Sequence, residues 1–288
     1  MATETWTIGR LLEWTASYLA QKGCEFPRLD AEVLLANALG CKRIDLYTRF
    51  DEQADDAARQ KFRELVKQRV EGCPVAYLVG RKEFFSLELG VNRDVLIPRP
   101  ASETVVDECL KVLRELPEPV VLDVGTGSGN LAIAIARQHK TARVTAIDVS
   151  PAALDVAERN AARHGVRERI HFLAGDLFAP LAVEDRFDLI VSNPPYIPHC
   201  DIAGLEAGVR EYEPHVALDG GLDGFAVFDR LIAGAPRHLK EDGWLIVEIG
   251  SPQEVPARQR IEEIGGYKLE KTIRDSAGHP RVLKARRN

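Results

Sequence analysis

The chain has 288 residues, 45% hydrophobic and 28% charged, the balance of an ordinary globular protein with room for one large or two moderate domains. A net charge of −6 offers no basic field for non-specific capture of nucleic acid or an anionic membrane, and "KARRN" at the end is the one locally basic stretch. Five scattered cysteines, with no Cys-x-x-Cys or Cys/His cluster, argue against a zinc site and a disulfide framework. "MATETWTIGR" lacks a basic stretch followed by an apolar run, and no segment approaches ~18 consecutive apolar residues. Neither a signal peptide nor a membrane span is expected, and the chain reads as reduced and cytoplasmic.

Residues 1–80 carry helical periodicity. Ile8, Leu11, Leu12, Thr15 and Leu19 recur at helix spacing, as do Ala31, Leu34, Leu35, Ala38 and Leu39, which end at Gly40. Phe62, Leu65, Val66 and Val70 share one face of a further helix that stops at Gly72. A small, nearly neutral helical domain is expected there, either a packing appendage or a surface for a partner. Residues 81–101 are expected to form a linker, because "KEFFSLELGVNRDVLI" (82–97) alternates apolar and polar as a β-hairpin does.

Residues 102–288 alternate strand and helix. "VVLDV" precedes a glycine loop and the helix "NLAIAIARQH"; "RVTAIDV" precedes "SPAALDVAERNAARHG", with Ser150 as N-cap and Pro151 at the first helical position. "IHFLAGD" and "FDLIVS" read as short buried strands, "FAVFDRLIAGAPRHL" as a helix and "GWLIVEIG" as a strand. The rhythm predicts an α/β fold with a doubly wound, mostly parallel sheet.

In such sheets the ligand lies outside the carboxyl ends of the strands. The first strand ends in "DVGTGSGN", so Gly125, Thr126, Gly127, Ser128 and Gly129 are candidate cofactor contacts, with glycine allowing close backbone approach and positive φ. Asp148 follows at the end of the second strand, placed for ribose hydroxyls. The loop departs from the G-x-G-x-x-G of dinucleotide sites, since Asn130 stands where the third glycine belongs. Asp123 just before it suits a cationic ligand better than a diphosphate. Asp176, with Leu177 beside it, ends the third strand where an adenine amine would lie. S-adenosylmethionine, with its sulfonium and ammonium and no phosphate, fits this set better than NAD.

The fourth strand ends in Asn193-Pro194-Pro195-Tyr196. Two prolines remove two backbone donors and hold the preceding residues extended. Asn-Pro and Pro-Pro are also common strand breakers. Beside a methyl donor, however, the segment suits methylation of a planar nitrogen. The Asn193 side-chain oxygen and the Pro194 carbonyl can accept both N–H groups of an amide or aromatic amine, orienting it as positive charge develops. Pro195 leaves that carbonyl untied, and Tyr196 offers a flat face to a planar substrate.

At these residues the chain resembles the HemK/PrmC family of protein-glutamine N5-methyltransferases. The resemblance runs end to end, through "PVAYLVGRKEFFSLEL" (74–89), "LIPRP" (96–100) with Glu103, "LDVGTGSGN", "VSNPPYIP", "VREYEPHVALDGGLDG" (209–224) and "RDSAGHPRVL" (274–283). It implies a Rossmann-like S-adenosylmethionine-dependent methyltransferase fold behind a helical substrate-recognition domain. It implies cofactor contacts at Gly125 to Gly129, Asp148, Asp176, Leu177 and Asn193, with Asn193 to Tyr196 holding the substrate. That substrate would be the glutamine of the Gly-Gly-Gln loop in peptide chain release factors, with no direct binding of nucleic acid or membrane. The family usually carries an acid and a threonine after "IPRP"; here Ala101 and Ser102 stand there, and Ser102 is expected to cap the next helix. Asn-Pro-Pro-Tyr is shared with nucleic-acid enzymes that methylate adenine N6, cytosine N4 or a guanine amine, which would need lysine and arginine clusters for phosphate. A methyltransferase fold used only for binding is the other class, and an intact motif speaks against it.

Overall fold

The computed structural model describes residues 6–288, so part of the N-terminal stretch read above for a signal peptide lies outside the described residues. The chain forms two compact units. One comprises residues 1–80 and 207–212, the other residues 81–206 and 213–288.

The first unit is helical: α1 (Ile8–Gln21), α2 (Pro27–Leu39), α3 (Asp45–Thr48), α4 (Asp56–Val70) and α5 (Val75–Val79). Thr7 and Asp55 cap α1 and α4 by accepting from Arg10 and Ala58 N–H groups. Gly40 closes α2 in the left-handed conformation. Ile8, Leu12, Leu19, Leu34, Leu35 and Phe62 form its core, which the periodicity had indicated; Ala38 and Leu39 are only half-buried. Among the described residues no helix is long and apolar enough to cross a membrane.

The second unit begins with the hairpin β1 (Arg81–Phe84) and β2 (Leu87–Gly90), whose Phe84 and Leu89 lie in that unit's core. The Asn160 carboxamide pins β2 by accepting from Gly90 N–H at 2.7 Å and donating to its carbonyl at 2.9 Å. The hairpin is therefore an integral part of the α/β unit. In chain order follow α6 (Glu103–Leu113), β3 (Val120–Val124), α7 (Asn130–Gln138), β4 (Arg143–Asp148), α8 (Pro151–Arg163), β5 (Ile170–Ala174) and β6 (Phe187–Ser192). After α9 (Ala207–Arg210), which belongs to the helical unit, come α10 (Ala226–Gly234), β7 (Leu239–Glu248), α11 (Glu254–Ile264), β8 (Tyr267–Leu269), β9 (Ile273–Arg274) and β10 (Pro280–Arg287).

The sheet order is β5-β4-β3-β6-β7-β10-β8, with β9 also on β10. The first five strands are parallel; β10 runs antiparallel between β7 and β8. Strand period sorts the core: Val121, Leu189 and Val191 face α6 and α7, while Leu122, Ile190 and Leu245 face α10 and α11. Two boundaries differ from the sequence expectation. Pro236 has no donor to continue α10, so the helix gives way to a short 3-10 turn at Ala235–Arg237. β7 starts at Leu239, earlier than "GWLIVEIG", with Asp242 at φ +61° beside a register shift.

Candidate active site

The carboxyl ends of β3, β4, β5 and β6 open on one cavity of about 330 Å³. Gly125, Thr126, Gly127, Ser128, Asp148, Asp176, Leu177, Asn193, Pro194 and Pro195 line it, so the structure brings most of the expected residues together. The glycine loop folds tightly. Gly125 and Thr126 both donate their N–H to the Ile147 carbonyl, at 2.8 and 2.9 Å, and Gly129 N–H returns to the Thr126 carbonyl at 2.8 Å. Gly125 and Gly127 have φ of +75° and +55°, and a side chain at either would project into open space. That space is the cradle a ligand would fill.

Gly129 differs. A Cβ there would come within 2.8 Å of Ile133 Cδ1 and 3.2 Å of Ala157 Cβ, so this glycine allows α7 and α8 to approach and does not line the cavity. Asp123, expected to face a cation, is fully buried. Its Oδ2 accepts from Thr126 Oγ1 at 2.7 Å and from Ala132 N–H at 3.2 Å, binding the loop to the first turn of α7. Burial pushes this carboxyl up to about 7, against the lowering effect of those two donors.

Asp148 meets the cavity as expected. Its Oδ2 accepts from Gly127 N–H at 2.8 Å and its Oδ1 from Ser150 N–H at 2.9 Å, which fixes the carboxylate while leaving lone pairs on both oxygens. Burial raises its pKa, and the backbone donors of Ser150, Gly127 and Val149 oppose that. Asp176 also lines the cavity, with Oδ2 held by Arg230 at 2.6 Å. Leu177 sits in the left-handed region at φ +52°. Val149, an exposed apolar residue at the same rim, escaped sequence reading because it carries no polar signature.

Across the cavity stands the Asn-Pro-Pro-Tyr segment. Ser192 Oγ donates to the Val124 carbonyl at 2.7 Å, tying the ends of β6 and β3 together. Beyond it, Gln253 Nε2 donates to the Tyr196 carbonyl at 3.1 Å, and Ile197 N–H to the Leu218 carbonyl at 3.0 Å. Among the described residues no donor reaches the Pro194 carbonyl or Asn193 Oδ1. Tyr196 stands apart from the residues that line the cavity, with its ring against Gly250. Burial, then the Glu248 charge, raises its pKa, so the phenol stays protonated.

Two buried acids brace this wall, and neither stood out in sequence. Glu213 accepts from Ile97 N–H at 3.1 Å and pairs with Arg99 at 2.5 Å, joining "LIPRP" to "EYEPH". Glu248, at the end of β7, is buried, and its Oε2 meets no donor among the described residues. Ser102 makes no capping bond to α6; its Oγ instead accepts from Asn193 Nδ2 at 3.3 Å. A serine beside a helix start carries a cap signal, and only the folded chain shows it spent elsewhere.

The PrmC N-terminal domain family matches residues 10–80, and a methyltransferase domain family matches residues 121–220. A release factor glutamine methyltransferase of Rhodopirellula baltica is 45% identical over 282 residues, 96% of this chain and 95% of that protein. The chain belongs to the release factor glutamine methyltransferase family. A second member, from Geobacter sulfurreducens, is 46% identical over 250 residues, covering 87% of this chain and 86% of its own. A methyltransferase structure from Pyrococcus furiosus, 21% identical with a TM-score of 0.50, covers 72% of this chain and 91% of that one and shares the fold. The chain is an S-adenosylmethionine-dependent methyltransferase, and the glycine cradle with Asp148 at its edge fits that cofactor.

Proposed function

We propose that this chain methylates the side-chain amide nitrogen of the glutamine in the Gly-Gly-Gln loop of peptide chain release factors, in the cytoplasm. The reading is carried by two acceptors, the Asn193 side chain and the Pro194 carbonyl, on the cavity wall facing the glycine loop. Bound in the cradle with its ribose at Asp148, S-adenosylmethionine supplies a methyl group activated by its sulfonium. The protein's part is to hold the amide. Its nitrogen is a poor nucleophile because the lone pair is delocalised. Accepting both N–H groups turns the nitrogen toward the methyl group and favours the positive charge that develops on it. No base is needed during the attack, because the proton can leave to water afterwards.

A glutamine side chain offers too little surface for selection, so the helical unit is assigned to gripping the release factor. Its α1 and α4 line a groove with Trp6, Trp14 and Tyr18 on one side and Arg59, Arg63 and Lys67 on the other. Trp14→Ala combined with Arg63→Glu is expected to raise KM for intact release factor about 10-fold. Activity on a short Gly-Gly-Gln peptide should not change.

The relatives that align over nearly the whole chain are named for a release factor glutamine, which leaves the nucleic-acid alternative without support. The deciding experiment offers isotopically labelled S-adenosylmethionine with a release factor, with the same factor carrying Gln→Ala in its Gly-Gly-Gln loop, and with DNA. Label is expected on the first alone; label on either of the others overturns the reading.

A further inference from the structure

The β1–β2 hairpin and the glycine loop are distant in sequence and meet on one side chain. Asn160, on the inner face of α8 and 3% exposed, accepts from Gly90 N–H at 2.7 Å and donates to the Gly90 carbonyl at 2.9 Å, pairing with β2 as a neighbouring strand would. Its Nδ2 also donates to the Ser128 carbonyl at 2.9 Å. A carboxamide has one oxygen and two N–H protons, and here the oxygen and both protons are engaged. Its orientation is fixed, because every partner is a backbone group of known polarity. The Gly90 N–H must meet the oxygen, and the two carbonyls must meet the nitrogen.

Each end of this bridge leads to the cavity. Ser128 lines it, between Gly127, whose N–H goes to Asp148, and Gly129, which lets α7 approach α8. Among the described residues no backbone N–H reaches the Ser128 carbonyl, and Asn160 is its partner. Gly90 lies outside the cavity, but the chain leaving it supplies Asp94, Val95, Leu96, Pro98 and Arg99 to the wall. The same helix fixes Asp148 as well, since Ser150 N–H at its start holds Oδ1 at 2.9 Å. Without the carboxamide, the Ser128 carbonyl and both backbone groups of Gly90 would lose a partner in a place water barely reaches.

We propose that Asn160 is a positioning residue for the cofactor: it keeps the glycine loop in the shape that accepts S-adenosylmethionine and couples that loop to the β1–β2 hairpin. Asn160 does not itself line the cavity, so it acts through Ser128. The coupling runs both ways. A ligand that stiffens the loop stiffens the hairpin through the shared carboxamide, although no hairpin residue lines the cavity.

Because this rests on the glycine loop seating the cofactor, the first test separates the two and needs no variant. Amide hydrogen exchange is followed by NMR in the wild-type protein with and without S-adenosylhomocysteine. Exchange should slow at Gly127 N–H, and at Gly90 N–H by more than at β8 on the far edge of the sheet. Slowing at Gly127 with none at Gly90 beyond that of β8 overturns the coupling; no slowing at Gly127 sinks the cradle beneath it. Asn160→Ala should raise the Kd for S-adenosylhomocysteine roughly 3- to 10-fold by calorimetry, the worth of one net hydrogen bond to the loop. Its kcat at saturating S-adenosylmethionine should stay within about twofold of wild type. Two controls guard against a merely structural cause. Leu113→Ala empties a fully buried position on α6 and lowers Tm without touching the loop. His164→Ala removes another bond from α8 to the hairpin, from Nε2–H to the Glu88 carbonyl at 2.9 Å. Both controls should leave Kd within about twofold. An unchanged Kd in Asn160→Ala, a kcat that falls with it, or an equal rise of Kd in either control overturns the positioning role.

Discussion

The glycine loop and the Asn-Pro-Pro-Tyr segment leave neighbouring parallel strands at the same level, Val124 opposite Ser192, and then behave in opposite ways. After Val124 the chain turns through three glycines at positive φ and within five residues is tied to the Ile147 carbonyl of β4 and to its own Thr126 carbonyl. After Ser192 it runs stiffly past two prolines and makes its next backbone bond at Ile197. The first stretch spends conformational freedom so that backbone can lie against a ligand. The second removes freedom and donors so that two oxygens stay unclaimed at fixed positions. One sheet edge thus carries a site for holding a large cofactor and a site for aiming a small group. The two should fail differently when altered.

The largest effect is expected on the aiming side. Asn193→Ala should lower turnover roughly 10²–10³-fold, the scale of losing one preorganised polar group at a developing charge. Cofactor affinity, read by calorimetry, should fall much less, because the cradle lies on other loops. Asn193→Asp keeps an acceptor oxygen and should retain more activity than Asn193→Ala.

Behind the same wall, Glu248 should reveal its burial through stability. Desolvation lifts its carboxyl from the ordinary 4.5 of a glutamate to about 7 in the folded protein, despite the nearby Ser102 hydroxyl and the charges of Arg281 and Arg99. Between those values the folded state holds a proton that the unfolded state has released. Stability from this group therefore falls as pH rises through that window, and the full penalty applies above it. Glu248→Gln removes the penalty. Denaturant melts should show the variant gaining about 3 kcal/mol on wild type between about pH 4.5 and pH 8. A difference that does not change with pH would mean the carboxylate is already satisfied.

On the holding side the expected losses are smaller. Asp148→Ala removes charge-assisted hydrogen bonds to the ribose worth roughly 1.5–3 kcal/mol, so affinity for S-adenosylmethionine should drop about 10- to 100-fold. NAD should bind neither form; measurable affinity in the wild type would defeat the assignment.

The two sides also differed in how far sequence could reach them. The cradle was legible because its parts are local: a strand, a glycine turn and an acid one βα unit later, each with its own chemical reason. Asn193 and Pro194 were legible for the same reason. What escaped is what converges from afar. Glu213 meets Arg99 across 114 positions, and Ser102 meets Asn193 across 91. Nothing in "EYEPH" or "IVEIG" says which buried partner its glutamate will find. Local signals also misled where two uses compete for one residue. Asp123 looked like a ligand for a cation, and its buried Oδ2 instead holds the Thr126 hydroxyl and the Ala132 N–H of α7. Gly129 looked like the rest of the cradle and makes room for helix packing.

The smallest effects make the sharpest comparison, because they change only backbone character. Gly127→Ala places an L-residue at φ +55°, where left-handed geometry costs roughly 1–2 kcal/mol, and sends a methyl group into the cavity. Cofactor Kd should rise about 10-fold, while kcat at saturating cofactor stays near wild type. Pro195→Ala does the reverse. It returns freedom and an N–H to a segment that functions by lacking both, so the Pro194 carbonyl is aimed less tightly at the substrate amide. The expected result is a kcat lower by roughly 3- to 10-fold, with cofactor Kd unchanged. The pair is informative as a pair, since general loosening of the fold would move both constants in both variants. If Pro195→Ala weakened cofactor binding and spared kcat, the division between a cradle that holds and a segment that aims would be wrong. The prolines would then be no more than the end of a strand.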